Sequence, residues 1–337
     1  MNEKILEVKD LQVRFDTEEG CVQAVDRVNF TLHRGETLGL VGESGCGKSV
    51  TNLAVLGLVP SPPGKIYGGE VLYRGKDLLR MSASELSHIR GNRIAMIFQD
   101  PMTSLNPYMT IADQLTEVTM LHLGHTRREA MRHAIEMLGS VGIASPDRRI
   151  DEYPHQFSGG MRQRVMIAMA LTCQPEVLIA DEPTTALDVT IQAQILELMK
   201  QLQAAEGTAI IMITHDMGVV ASICHRVDVM YAGRIVEQAT CEELFKHPRH
   251  PYTLGLLESV PRIEKSSAGR LEAIDGQPPD LVALPAGCAF EPRCRFSEER
   301  CIDERPILRR VTSSSETACF FDLENHSQGS STGGSDG

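Results

Sequence analysis

Gly42-Glu43-Ser44-Gly45-Cys46-Gly47-Lys48-Ser49 follows an apolar run, Thr37 to Val41, and fits the pattern G-x-x-x-x-G-K-S/T. Glycines at this spacing let backbone N–H groups wrap phosphate oxygens at the start of a helix, with Lys48 reaching the outer phosphates and Ser49 binding Mg²⁺. The loop alone says only nucleotide binding, and a glycine-rich turn is the alternative. Val177-Leu178-Ile179-Ala180 runs into Asp181-Glu182, and two acids ending an apolar strand are costly unless they meet a cation or do proton chemistry. Asp181 suits Mg²⁺ held through water. Glu182 suits orienting and deprotonating a water that attacks a γ-phosphorus. Without the loop, the two acids would read as a solvated strand end. Ser158-Gly159-Gly160 precedes Met161 to Thr172, whose apolar residues predict a helix with Ser158 near its amino end. Such an end attracts phosphate through free N–H groups, and equally suits a plain helix cap.

These residues need elements that present them. Thr37 to Val41, Ile94 to Phe98, Val177 to Ala180 and Ala209 to Ile213 are short, apolar and mostly followed by helical stretches, as in a parallel sheet buried on both faces. Ligands of such sheets sit beyond the carboxyl ends of the strands, where Gly42, Gln99, Asp181 and His215 fall. Before and beside these runs, Leu6 to Phe15, Val22 to Leu32 and Glu70 to Tyr73 alternate in the manner of an antiparallel sheet. Between about 100 and 157 the apolar strands stop, and the spacing of Ile111 to Leu121 and Arg127 to Leu138 predicts a helical insertion.

The 337 residues allow one large core and an appendage. Residues 1–245 read as a mixed α/β domain, and residues 246–320 as a second, loop-rich unit broken by Pro278-Pro279 and Pro285. Residues 321–337 end in a serine- and glycine-rich stretch and read as a disordered tail. No apolar run approaches the roughly 20 residues that span a bilayer, and Met1 to Asp10 lacks a signal-peptide core. Any membrane contact is therefore expected through a partner. A net charge of −12 argues against nucleic acid as the main partner.

Nine cysteines suit a reducing compartment. Cys21, Cys173, Cys224 and Cys241 read as small core residues. Cys288, Cys294, Cys301 and Cys319 crowd into the last fifty residues, where little core is available and something must staple the chain. An iron–sulfur cluster, zinc, or four unligated thiols all remain open, because the spacing lacks the close C-x-x-C pairs of zinc ribbons.

The order of the motifs resembles the ATPase subunit of an ABC transporter. Ser158-Gly159-Gly160 looks like that family's signature, with Phe157 and Met161 where its best-known form has leucine and glutamine. The resemblance implies that the signature faces ATP bound on a second ATPase subunit. By the same resemblance Gln99 is the Q-loop glutamine, Thr185-Ala186-Leu187-Asp188 the D-loop and His215 the switch histidine at the γ-phosphate. Phe15 takes the place of the aromatic residue that stacks on adenine; an ordinary sheet position is the alternative. Phe98 to Pro107, His250-Pro251-Tyr252-Thr253 and Gly276 to Cys294 resemble the ATPase subunits of bacterial peptide and nickel importers, from about Ile5 to Cys319. That likeness implies a peripheral protein on the cytoplasmic face of the inner membrane, using ATP and Mg²⁺. It implies two transmembrane permease subunits, a second ATPase subunit that is either a paralogous partner or another copy of this chain, and an extracytoplasmic solute-binding protein as partners. It also implies a 4Fe-4S cluster on the four late cysteines. Dipeptides, longer peptides, glutathione-like compounds and nickel complexes stay open as solutes, and a soluble ABC ATPase acting on DNA or ribosomes is the alternative from another class.

Overall fold

The computed structural model describes residues 3–185, 187–259 and 274–323. Ala186 of the D-loop stretch and the tail from His326 to Gly337 lie outside the described residues. The chain divides into two compact units, neither continuous in sequence. One holds Met1–Glu7, Thr31–Thr37 and Val71–Ile213; the other holds Val8–Phe30, Leu38–Glu70 and Thr214–Gly337.

In the first unit three parallel strands, Ile94–Ile97, Val177–Asp181 and Ala209–Ile213, lie side by side with the Val177 strand in the middle. Val177–Asp181 and Ala209–Ile213 are buried at every position, so their residues run apolar rather than alternating, save the acid Asp181 at the end of the first. Helices Ile111–Leu123 and Arg127–Ser140 pack together. Ile111, Ala112 and Leu115 on one, with Ala130, Ala134 and Leu138 on the other, form buried stripes at three- and four-residue spacing. The turn between these helices is set locally. Gly124 takes a left-handed φ of 68° and closes the first helix by donating to Thr119 O, while Thr126 and Glu129 form a capping box that opens the second.

In the second unit the strand Thr37–Val41 pairs in parallel with Arg226–Tyr231, Leu38 opposite Arg226 and Val41 opposite Val229. Arg226–Tyr231 pairs antiparallel with Arg234–Thr240, which bulges between Ile235 and Glu237. The sheet then continues into the late part of the chain, through Ser315–Thr317 and Arg309–Arg310, both antiparallel. The residues after 245 therefore extend the sheet that carries the phosphate loop. A cluster of Tyr231, Tyr252 and Phe290, with ring centroids 4.6 to 5.4 Å apart, packs beneath that extension and leaves Tyr252 wholly buried.

Candidate functional site

Beyond Val41 the chain turns through Gly42 (φ 151°), Gly45 (φ 80°) and Gly47 (φ 106°) into the helix Lys48–Val55. A β-carbon on Gly42 would strike the Met230 carbonyl, and one on Gly47 the Ala24 carbonyl, so both space and backbone demand glycine. The helix has no side-chain cap and no acid in its first turn, which leaves its amino-terminal N–H groups available to an anion. Lys48 is only 7% exposed. Its Nζ donates to the carbonyls of Gly42 and Glu43, both at 2.8 Å, and lies 3.5 Å from Cys46 Sγ. Burial pushes the Cys46 thiol up, outweighing the Lys48 charge beside it. Ser49 is half-buried, and Ser44 is exposed.

Phe15 and His215 belong to this same unit. Phe15 is half-buried with its ring edge against Gly64, where a β-carbon would come within 2.7 Å. His215 is exposed and precedes the helix Met217–Ile223, whose cap Asp216 accepts from Gly218 N at 2.8 Å and Val219 N at 3.2 Å.

Gln99, Ser158 to Gly160, Asp181 and Glu182 belong to the other unit. Asp181 is 4% exposed at the end of its strand. Glu182 follows with φ 47°, a left-handed conformation that costs a non-glycine residue about 1–2 kcal/mol. Its N–H donates to Ile213 O at 2.9 Å, and its Oε2 accepts from the Thr185 hydroxyl at 3.0 Å. Ser158 caps the helix Gly159–Leu171, its Oγ accepting from Met161 N at 3.4 Å. The Gly159 side toward which a side chain would point is open space. Gln163 on that helix donates to Pro183 O at 2.8 Å, which ties the signature helix to the turn after Glu182. Gln99 is exposed beyond Ile94–Ile97, and Asp188 caps the long helix Val189–Glu206.

Cys288, Cys294, Cys301 and Cys319 line one small apolar cavity with Phe290, Phe296 and Phe321. Burial raises the thiols of Cys288, Cys294 and Cys319, the last two to about 11 and about 12, and neighbouring cysteines of the set add to each rise. Among the described residues no three cysteine, histidine or acidic side chains are grouped as one metal ion requires. The four sulfurs thus line one cavity of about 10 Å³ without being grouped as a metal site. The other cysteines divide. Cys173 and Cys224 are buried as expected, Cys241 is half-buried, and Cys21 is exposed on the strand Gly20–His33, which corrects its reading as a core residue.

Residues 25–185 match the family model for ABC transporters, and residues 236–301 match that for the C-terminal region of oligopeptide and dipeptide transporters. The oligopeptide transport ATP-binding protein of Bacillus subtilis is 55% identical over 309 residues, covering 92% of this chain and 86% of that protein. The chain belongs to the ATP-binding proteins of ABC oligopeptide and dipeptide transporters. The dipeptide transport ATP-binding protein of the same organism is 54% identical over 292 residues, 87% of each chain. The oligopeptide transport ATP-binding protein of Salmonella typhimurium is 52% identical over 320 residues, 95% of this chain and 94% of that one. Of solved structures, a dimeric ATP-binding cassette in a post-hydrolysis state with ADP and phosphate superimposes with a TM-score of 0.64 at 27% identity, over 70% of this chain and 98% of that one. This ABC ATPase thus has the P-loop fold with an antiparallel amino-terminal sheet. Among its described residues no helix is long and apolar enough to cross a membrane.

Sequence reasoning missed three residues at the ATPase's phosphate loop. Glu43 fills a variable position of the motif, yet its backbone and side chain are both held, by Tyr252 and Arg293. Tyr252 lies in the stretch His250 to Thr253, which carried family likeness but no role. Arg293 likewise lies in a stretch of family likeness, Gly276 to Cys294, with no role attached, and stands 250 residues from its partner.

Proposed function

We propose that this ABC ATPase hydrolyses ATP to drive import of peptides of the dipeptide and oligopeptide class across the cytoplasmic membrane. The observation that carries this reading is the extent of the likeness: it runs through 92% of the chain and includes the late region 236–301 as well as the ATPase core. Residues 1–245 form the nucleotide-binding part, with residues 100–157 as its helical insertion, and residues 246–320 the peptide-transporter part. The loop N–H groups and Lys48 hold the phosphates, Phe15 supports the adenine, and Ser49, Gln99 and Asp181 supply oxygen ligands of the kind Mg²⁺ takes. Glu182 accepts a proton from the attacking water, while Gln99 and His215 order the γ-phosphate side. Ser158, Gly159 and Gly160 serve the nucleotide of a second, paralogous ATPase subunit. Two permease subunits anchor the pair at the inner face of the membrane, and an extracytoplasmic binding protein delivers the solute.

The test is reconstitution with the two permease subunits and the partner ATPase in proteoliposomes. ATP hydrolysis should rise several-fold with peptide-loaded binding protein. Stimulation by nickel complexes or glutathione in place of peptide would move the reading to the neighbouring importers. Stimulation by duplex DNA without membrane subunits would replace it with a soluble ATPase.

Cys288, Cys294, Cys301 and Cys319 are the residues that would hold a 4Fe-4S cluster, whose contribution there is to staple a segment poor in core. Anaerobically purified protein should then absorb broadly near about 400 nm with matching iron and sulfide, both lost in Cys294→Ser. Colourless protein with stoichiometric zinc would make the late segment zinc-stapled, with the ATPase reading unchanged.

A further inference from the structure

Glu43, the second residue of the phosphate loop, is gripped at three points. Its N–H donates to the Tyr252 hydroxyl at 2.7 Å. Its carbonyl accepts from Lys48 Nζ at 2.8 Å. Its carboxylate accepts a two-armed bond from the Arg293 guanidinium, Nη1 to Oε2 at 2.6 Å and Nη2 to Oε1 at 2.9 Å. The Arg293 side chain is 5% exposed, and its remaining donors are also engaged, Nε with Asp275 O at 3.0 Å, Nη1 with the Tyr231 hydroxyl at 3.3 Å and Nη2 with Ile274 O at 3.4 Å. A fork held this completely has one orientation, so it fixes Glu43 and not the reverse.

Stability alone does not account for the pair. A largely buried ion pair recovers little more than its desolvation cost, and apolar packing would serve as well. What the pair does provide is geometry. The chain of bonds Arg293 to Glu43 to Lys48 ends on the ammonium that is the phosphate loop's own charge. Further residues of the same late stretch, Pro278, Pro279 and Leu281, wall a cavity of about 120 Å³ against Glu43, Ser44, Gly45 and Cys46.

We propose that Arg293 and Tyr252 are positioning residues of the phosphate loop. By holding Glu43 they preset the loop N–H groups and Lys48 for nucleotide phosphate, and so make MgATP affinity depend on the fold of the late segment. The inference rests on the nucleotide reading of the loop. A loop that grips ground state and transition state alike changes KM and leaves kcat alone when it is loosened.

The experiment measures MgATP affinity and steady-state hydrolysis on the full chain. Arg293→Ala should bind MgATP about tenfold more weakly, with kcat at saturating ATP within about twofold of the parent. Arg293→Lys keeps the charge but loses the fork and should fall between the two. Tyr252→Phe keeps the aromatic packing, loses only the acceptor, and should weaken binding by about threefold. Combining Arg293→Ala with Glu43→Gln should cost no more than Arg293→Ala alone, because both remove one interaction. Unchanged affinity in Arg293→Ala, or effects of the two substitutions that simply add, would overturn the proposal. Where Arg293→Ala does not fold, unchanged affinity in both Arg293→Lys and Tyr252→Phe overturns it. The parent protein and Lys48→Ala separate this failure from that of the underlying reading. A parent that binds MgATP and a Lys48→Ala that does not, beside an unaffected Arg293→Ala, removes this proposal alone; a parent with no MgATP affinity removes the nucleotide reading and this one with it.

Discussion

Glu182→Gln should bind MgATP as the parent does and hydrolyse it at least about a hundredfold more slowly, the order of effect expected when a general base is removed. A hundredfold corresponds to about 2.7 kcal/mol of transition-state stabilisation. The substitution is close to isosteric and leaves the local scaffold in place: the Glu182 N–H still donates to Ile213 O, and a glutamine Oε1 can still accept from the Thr185 hydroxyl. What it removes is the ability to take a proton. Glu182 occupies φ 47°, where glutamate has no intrinsic reason to be, and its N–H bond to Ile213 O holds it there. Single-turnover hydrolysis and MgATP affinity, measured on the same preparation, check the result. Turnover near the parent's would take Glu182 out of the role, and a matching loss of affinity would mean that it supports binding instead.

The parts of the site that lie within a few residues of one another in sequence were the legible ones. The glycine spacing from Gly42 to Gly47 states its own backbone requirement, and the structure returns positive φ at each of the three glycines. Ser158 reads as a helix cap because serine followed by an apolar-rich stretch has few other uses, and it caps Gly159–Leu171. A fully apolar pentapeptide such as Ala209 to Ile213, or the apolar run Val177 to Ala180, can hardly be anything but a buried strand. Apolar spacing sufficed for the helices at Ile111 and Arg127, though each runs two residues past the expected end because the apolar stripe stops before the helix does. What was hidden shares a different character. The grip of Arg293 and Tyr252 on Glu43 joins residues more than 200 positions apart, and nothing local in an arginine among prolines announces its partner. Glu182 gives no warning of its left-handed backbone because that conformation is imposed by tertiary contacts, not favoured by the residue. Cys21 alternates with apolar neighbours as a core residue would, yet its strand turns that position to solvent, since period two fixes alternation but not which face is wet.

Lys48→Ala is expected to act on the opposite quantity, lowering MgATP affinity by at least about a hundredfold, since two charge-assisted bonds at about 1.5–3 kcal/mol each are at stake. In the structure Lys48 Nζ spends two of its donors on Gly42 O and Glu43 O, both belonging to the loop that would enclose the phosphates. Nucleotide would offer this ammonium anionic oxygens in place of neutral carbonyls, a stronger partner at little cost in rearrangement because the side chain is already buried at the loop. Alanine loses both the phosphate partner and the brace across the loop, so the helix N–H groups that survive in Lys48–Val55 lose the geometry that collects them. Thermal unfolding with and without nucleotide distinguishes this from simple misfolding. At a hundred times the dissociation constant, MgATP should stabilise the parent by about 2.7 kcal/mol, a shift that Lys48→Ala would largely lose while keeping a cooperative transition in its absence. A ligand-induced shift equal to the parent's would count against the phosphate-loop assignment itself. In Glu182→Gln, by contrast, that shift should be fully retained, so the pair of variants separates holding the phosphates from cleaving them.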